Sequence, residues 1–233
     1  MSSRPQLDRW TAPGLSSPVT AAPDTYDAWY RTPRGRWIGQ REATLLRRYL
    51  QPLPTDTLLD VGCGTGFFTR FFAHRQRPAV VGIDPDPSAI HYARRHAARA
   101  EAYVVGRAEA LPFPPASFDL TISVTALCFI RDEASAVREI LRVTRRRFAI
   151  GLLNRHSLLW RAKGRAGGAG GYRGAHWHTR REAARLFHAL GVRVSLRTAI
   201  HLPSGGVLAH LVEHVVPSSS PWGSFLLVIG EPS

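Results

Sequence analysis

The stretch LLDVGCGTG, residues 58–66, decides the fold of this chain. Its first half is a short apolar run of the kind that forms a buried β-strand. Its second half alternates glycine with other residues, and Phe67, Phe68 and Phe71 follow at helical spacing. A strand that turns through glycines into a helix is typical of the ligand-binding edge of a parallel sheet, because glycine lets the backbone approach a ligand closely.

On both sides of this stretch, apolar runs alternate with segments of helical periodicity. Such alternation predicts parallel βαβ units and a doubly wound α/β sheet. We expect the last two strands to form an antiparallel pair at the edge. The seven predicted strands are 58–62, 79–84, 102–106, 117–124, 147–153, 192–200 and 224–230. The predicted helices occupy the second half of 26–50, residues 67–72, 88–100, 132–143 and 179–190.

The chain is 233 residues long, which suits one domain with additions. Residues 1–24 contain four prolines and many small polar residues and are expected to form a flexible N-terminal arm. The domain would then span 25–233. Residues 164–174 hold six glycines in eleven positions, so we expect a mobile loop within an insertion at 154–178.

Charge is the most conspicuous feature of the composition. The formal net charge is +14, from 31 Lys+Arg against 17 Asp+Glu. Lys163 is the single lysine, a bias that GC-rich coding produces irrespective of function. Only residues 151–233 are strongly unbalanced, with 10 basic and 3 acidic residues. Charge without a motif or a patch is weak evidence for nucleic-acid binding.

Several other classes are disfavoured by the same composition. Two cysteines, Cys63 and Cys128, can form neither a disulfide framework nor a four-cysteine metal site. No apolar run reaches the roughly 18 residues of a membrane span, and the first residues lack the apolar core of a signal peptide. We therefore expect a soluble cytoplasmic protein with no membrane span.

The glycine loop differs from a dinucleotide fingerprint. That fingerprint requires G-x-G-x-x-G, but Phe67 stands where its third glycine would be. Asp60 lies two residues before the first glycine, where a carboxylate suits an ammonium group better than a pyrophosphate. Asp84 ends the second predicted strand, where it can accept hydrogen bonds from vicinal ribose hydroxyls.

Taken in order, the motifs LLDVGCGTG, VVGIDPDPSAI, AEALPFPPASFDLTIS and GSFLLVIG resemble the class I S-adenosylmethionine-dependent methyltransferases. The resemblance covers about residues 26–233 and is greatest to the small-molecule subgroup that includes the ubiquinone/menaquinone C-methyltransferases. It implies a Rossmann-like sheet of seven strands in the order 3-2-1-4-5-7-6, with the last strand antiparallel. It also implies methyl transfer from S-adenosylmethionine, which leaves S-adenosylhomocysteine.

The resemblance further implies roles for individual residues. Asp60 would hold the α-ammonium of the cofactor, and Asp84 would bind its ribose. The residues implied beside the methionine portion are Gly62, Gly64, Thr65, Gly66 and Ser123, and those facing the adenine are Arg107 and Ala108. Many relatives carry Asp or Asn at the position of Arg107, whereas arginine has no acceptor. Adenine recognition would then fall to backbone near Ala108, to Glu109, or to stacking by the guanidinium.

The family fold does not specify the methyl acceptor or a catalytic base. Two segments are candidates to close over a substrate: the helical segment 26–50 and the insertion 154–178. The insertion supplies the candidate bases Tyr172, His176 and His178. We expect no metal site, because no third Cys, Asp or Glu follows the His-x-His at ligand spacing.

Three functional classes follow from the sequence. The first is an enzyme that methylates a small molecule, either ring-bearing or acidic. The second is an RNA methyltransferase that uses the arginine-rich last third, although SVTALCF at 123–129 stands where base N-methyltransferases place an Asn-Pro-Pro-aromatic tetrad. The third is a non-catalytic cofactor-binding scaffold. The sequence does not indicate an oligomeric state.

Overall fold

The sheet predicted from the sequence is present. The computed structural model describes residues 22–76, 79–98 and 101–232, so all but the last three residues of the predicted arm lie outside the described part. Seven strands form one sheet in the order β3-β2-β1-β4-β5-β7-β6. The strands are β1 Thr57–Val61, β2 Ala79–Asp84, β3 Ala102–Val105, β4 Phe118–Val124, β5 Thr144–Leu153, β6 Val194–Ala199 and β7 Phe225–Gly230.

Eight α-helices are assigned within the described residues. They are α1 Pro23–Arg31, α2 Pro33–Leu50, α3 Phe67–Gln76, α4 Pro87–Arg95, α5 Glu133–Val143, α6 Leu158–Lys163, α7 Arg180–His188 and α8 Val207–Val215. Two of them start at the predicted N-caps, because Asp132 accepts from Ser135 N and Thr179 forms a capping box with Glu182. None of the described helices is long and apolar enough to cross a bilayer.

Strand pairing brings the functional loops to one edge. β1 is paired in parallel with both β2 and β4, and β4 is paired in parallel with β5. The carboxyl ends of these four strands therefore lie at the same edge, where ligands bind in doubly wound sheets. β7 lies between β5 and β6 and is antiparallel to both, so β6 is the edge strand of the predicted pair.

Two apolar cores cover the two faces of the sheet. Neighbouring residues of β1 alternate between them: Leu59 belongs to the core under α5 and α7, and Leu58 to the core under α2 and α3. Both cores are made mainly of aliphatic and phenylalanine side chains. The sheet is thus buried on both faces, as expected for a mainly parallel sheet.

The helices and strands differ from the prediction at several places; among them, helix α6 was not predicted, and α4 ends at Arg95 rather than at residue 100. Segment 26–50 is divided into α1 and α2 at Thr32, whose hydroxyl accepts from Gly35 N and caps α2. Helix α8 was not predicted, and four of its apolar side chains are exposed: Val207, Leu208, Leu211 and Val215. Strand β5 begins at Thr144, three residues early, because its three arginines at 145–147 find carboxylate partners on other elements.

Candidate active site

The loop between β1 and α3 has the backbone that only glycine adopts easily. Gly62, Gly64 and Gly66 have φ of +73°, +52° and +83°. A Cβ at Gly62 would overlap Ala126, and one at Gly66 would lie 2.7 Å from the Tyr103 hydroxyl oxygen. A Cβ at Gly64 would meet nothing nearer than a Tyr26 ring carbon at 3.9 Å. The loop is therefore packed at its two ends and open at Gly64.

Asp60 is a buried carboxylate at the carboxyl end of β1. Its Oδ2 accepts a hydrogen bond of 2.7 Å from the Thr69 hydroxyl. Burial raises the pKa of Asp60 to about 7, the nearby Asp84 carboxylate adds to the rise, and the Thr69 bond opposes it. A cationic partner would lower the pKa of Asp60 again, because an opposite charge favours the ionised carboxylate.

Asp84 is tied directly to the glycine loop. Its Oδ2 accepts from Gly64 N at 2.8 Å, and its Oδ1 accepts from Asp86 N at 2.9 Å. Burial raises the pKa of Asp84, and these two backbone hydrogen bonds oppose the rise. A carboxylate has about four lone-pair sites, so two acceptor positions remain for hydroxyl groups of a ligand.

A small cavity of about 30 Å³ lies between the glycine loop and α1. Four of the predicted cofactor residues line it: Asp60, Gly62, Gly64 and Thr65. The other lining residues are Tyr26, Tyr30, Cys63, Phe67, Phe68 and Val124. The Thr65 hydroxyl is buried without a hydrogen-bond partner, and such groups normally have one. The cavity thus presents a carboxylate and an unsatisfied hydroxyl.

Helix α1 covers this cavity. Tyr30 stacks on Phe67 with ring centroids 3.9 Å apart, and the Tyr26 and Tyr30 hydroxyls lie 3.4 Å apart. Below them, Arg70 donates to Asp27 at 2.8 Å and to the Thr65 carbonyl at 2.5 Å. One arginine therefore links α1 to the glycine loop.

The remaining predicted cofactor residues lie around the cavity. Arg107 donates to Glu109 Oε1 at 2.7 Å, so its guanidinium already has a carboxylate partner. Ala108 is buried in a core of the sheet. Ser123 is fully buried and its hydroxyl has no partner, but its neighbour Val124 is the residue that lines the cavity. The cofactor role of each of these residues stays a prediction.

The three candidate bases occupy different environments. Tyr172 packs against Trp177, and burial raises its pKa, with smaller contributions from Glu42 and Tyr26 on the α1–α2 side. His178 is buried, whereas the His176 side chain is 49% exposed. Both histidines contact Glu133, at 2.7 Å for His176 and 2.9 Å for His178. The sequence reasoning did not consider Glu133, because it lies more than forty residues before the histidines.

Glu42 is a second residue that sequence reasoning missed. It is buried on α2, and burial raises its pKa to about 8. Its charge contributes to the raised pKa of Tyr26, Tyr30 and Tyr172, so it lies within electrostatic range of all three tyrosines. The sequence could have identified Glu42 as an acidic residue on the apolar side of a predicted amphipathic helix.

Comparison with known proteins agrees with this geometry. Residues 59–148 match a family described as "Methyltransferase domain". An uncharacterised protein of Mycobacterium tuberculosis is 35% identical over 190 residues, which are 77% of this chain and 62% of that protein. The chain thus spans less than two thirds of that relative. A malonyl-[acyl-carrier protein] O-methyltransferase of Serratia marcescens is 37% identical over 92 residues, 40% of this chain and 35% of that enzyme.

Among solved structures, one from Thermotoga maritima is described as a SAM-dependent methyltransferase, possibly a histamine N-methyltransferase. It superposes with a TM-score of 0.69 at 23% identity, over 90% of this chain and 95% of that one. The chain has the fold of the class I S-adenosylmethionine-dependent methyltransferases. Residues 59–148 match the family described as a methyltransferase domain, and the strand order 3-2-1-4-5-7-6 predicted from the sequence is confirmed.

Proposed function

We propose that this chain transfers the methyl group of S-adenosylmethionine to a small-molecule acceptor that is ring-bearing or acidic. The observation that carries the proposal is the convergence of Asp60, the glycine loop and Asp84 at one sheet edge. The cofactor supplies a methyl group on a positively charged sulfur. The protein's part is to align donor and acceptor and to exclude water.

The residues present fit this cofactor. Asp60 is a buried carboxylate with no cationic partner among the described residues, which suits the α-ammonium group. Asp84 keeps two acceptor positions for the ribose hydroxyls. The open side of Gly64 and the unsatisfied Thr65 hydroxyl suit the methionine portion. We place Gly62, Gly66 and Ser123 beside that portion, and Arg107 and Ala108 beside the adenine.

Helix α1 must move for the cofactor to bind. A cavity of about 30 Å³ holds roughly one water molecule, far less than an adenosyl group. Tyr26 and Tyr30 occupy the space over the glycine loop. We therefore assign the segment 26–50 and the insertion 154–178 as lids, with α1 as the moving part of the first.

Three observations support a small acceptor. Tyr26 and Tyr30 line the cavity, and Tyr172 lies within electrostatic range of Tyr26, so aromatic groups that suit a ring or an apolar chain surround the site. The Arg34 guanidinium lowers the pKa of the nearby Tyr172 hydroxyl, so a cation that suits an acidic acceptor lies within electrostatic range of Tyr172. The Serratia relative bears a name that specifies methyl transfer to oxygen of a carrier-bound acid.

The test uses methyl-labelled S-adenosylmethionine and extract from the source cells. We expect label to enter the organic-soluble or acidic-metabolite fraction with the unaltered chain. With Asp84→Ala we expect no transfer and a loss of cofactor binding by calorimetry, whereas Glu231→Gln, an exposed carboxylate remote from the site, changes neither.

The outcomes separate the three functional classes. Label in the RNA fraction would instead favour the alternative RNA methyltransferase. Binding without transfer to any fraction would favour a scaffold. If the unaltered chain failed to bind the cofactor at about millimolar concentration, the proposed cofactor site would be wrong.

A further inference from the structure

Glu133, His176 and His178 form a compact cluster outside the cofactor cavity. Glu133 is the first residue of α5, after β4, and the histidines close the insertion that follows β5. Within the described residues these are the one group of three or more His, Cys, Asp or Glu side chains whose ligand atoms lie within 4.8 Å of one another. The cluster therefore joins two segments that leave the same sheet edge.

Backbone hydrogen bonds fix the segment that carries the two histidines. His176 N donates to the Cys128 carbonyl at 2.7 Å, and His178 N donates to the Leu153 carbonyl at 2.8 Å. Residue 178 also forms a β-bridge with Asn154, so the His-x-His segment is extended there. Alternate residues of an extended chain point to the same side, which explains why both rings face Glu133.

The ring nitrogens converge on one carboxylate. His176 Nδ1 lies 2.7 Å from Glu133 Oε1, and His178 Nε2 lies 2.9 Å from Glu133 Oε2. The two imidazole rings are 4.1 Å apart between centroids. The two imidazole nitrogens and the carboxylate therefore bring three possible metal-ligand atoms close together.

We propose that Glu133, His176 and His178 bind one divalent transition-metal ion of the zinc type. Two imidazoles and a carboxylate are among the usual protein ligands of Zn²⁺. With metal–ligand bonds of about 2.0–2.2 Å, ligand atoms around a tetrahedral ion lie roughly 3.3 Å apart. The N···O spacings of 2.7 and 2.9 Å are shorter than that value, so side-chain rotations that separate the ligand atoms slightly would form the site.

The His176 side chain is about half exposed, at 49%, so the cluster is accessible to solvent on the side of His176. Three protein ligands with one open position are the arrangement of zinc sites that bind water or an anionic group. A bound ion would also fasten residues 175–178 to the start of α5. The insertion would then be anchored at its carboxyl end, while its glycine-rich part, 164–174, stays free to move.

The test is a titration of tag-free, chelator-treated full-length chain with ZnCl₂ by calorimetry, and with Co²⁺ by visible absorption. We expect one ion per chain and the strong visible absorption that four-coordinate Co²⁺ shows. His176→Ala and Glu133→Gln should each weaken Zn²⁺ binding at least tenfold. His188→Ala, an exposed histidine on α7, should leave it unchanged.

Thermal unfolding supplies the second readout. Zn²⁺ should raise the melting temperature of the unaltered chain and of His188→Ala but not that of His176→Ala, because a ligand stabilises the state that binds it. His176 is chosen because its side chain is half exposed, so we expect His176→Ala to fold normally. Circular dichroism without metal checks that it does. The absence of saturable binding, or equal binding by His176→Ala, would show that the cluster is only an ion pair.

Discussion

At the scale of single residues, two carboxylates at the same edge have different surroundings. Asp84 accepts from two backbone amides, which favour its ionised form. Asp60 accepts from one hydroxyl in a fully buried position, and its pKa rises to about 7. Because its pKa is about 7, Asp60 changes protonation near neutral pH and should contribute to the pH dependence of cofactor binding.

We predict that cofactor affinity falls below pH about 7. The ammonium group requires ionised Asp60, and below its pKa the free protein must first release a proton. The dissociation constant should rise about tenfold per pH unit on the acidic side and level off on the alkaline side. Calorimetry at several pH values measures this.

Asp60→Asn is the matched variant, since its amide oxygen can still accept from Thr69. It should bind the cofactor weakly and with a flat pH profile over the same range. An unaltered chain whose affinity is equal on both sides of pH 7 would contradict the assigned role of Asp60.

Glu42 is a further candidate general base, because its charge acts on Tyr26, Tyr30 and Tyr172. Its pKa of about 8 lies near working pH, as an effective general base requires. We predict that Glu42→Gln binds cofactor normally and lowers kcat roughly 100-fold, with loss of the ionisation near pH 8 from the rate profile. Rates measured with the identified acceptor test this.

The exposed neighbour Gln40 supplies the control for Glu42, and Gln40→Ala should keep both the rate and the pH profile. If Glu42→Gln were fully active, its burial would have a structural rather than a catalytic explanation. Glu42→Gln should also lack the loss of stability that the unaltered chain shows between about pH 4.5 and pH 8, because a carboxyl group with a raised folded-state pKa loses stabilisation as pH rises to that pKa.

At the scale of elements, α1 is held by few contacts. Thr32 separates it from α2, and its links to the glycine loop are the Arg70–Asp27 ion pair and the Tyr30–Phe67 stack. Helix α2, by contrast, contributes Leu46 and Leu50 to a fully buried core. A short helix with few buried contacts opens more readily than one in the core.

We predict that amides of Pro23–Arg31 exchange faster than those of Pro33–Leu50 in the free protein. Cofactor together with acceptor should slow exchange in α1 and in residues 164–178, while α7 stays unchanged as the internal control. Hydrogen exchange with mass spectrometry gives these rates. Arg70→Ala should speed exchange in α1 alone, and an α1 that exchanges as slowly as α2 in every state would rule out the lid.

At the scale of the whole molecule, part of the positive charge behind the net +14 is paired with carboxylates among the described residues. Many of the described arginines are engaged by carboxylates from other elements. These pairs include Arg70–Asp27, Arg145–Asp119, Arg146–Asp56, Arg147–Glu231 and Arg155–Glu182. Such pairing uses guanidinium groups that phosphate contacts would need.

We therefore predict weak RNA binding at about 150 mM salt, because affinity for nucleic acid depends on free cations that release counterions. Fluorescence anisotropy with tRNA and with a random RNA of equal length measures it across salt concentrations. A basic RNA-binding domain serves as the positive control. Tight binding to one RNA that persists at this salt would revive the RNA methyltransferase alternative.

Local patterns in the sequence determined much of this protein. The strand–glycine–helix motif at 58–66, Asp84 at the end of β2 and the caps at Asp132 and Thr179 depend on neighbours within a few residues. The alternation of strands and helices then determined the fold class, and the resemblance supplied the strand order. The boundaries of a single domain at 25–233 stay a prediction.

Tertiary structure decided which distant side chains meet. Glu133 reaches two histidines across more than forty residues, Glu42 lies near Tyr172 of another segment, and α1 covers the glycine loop. The expectation of no metal site depended on ligand spacing along the chain, whereas the structure brings Glu133, a candidate third ligand, from a different element. Periodicity shows which residues are buried, but it does not show which buried residues face each other, because that depends on how the elements pack.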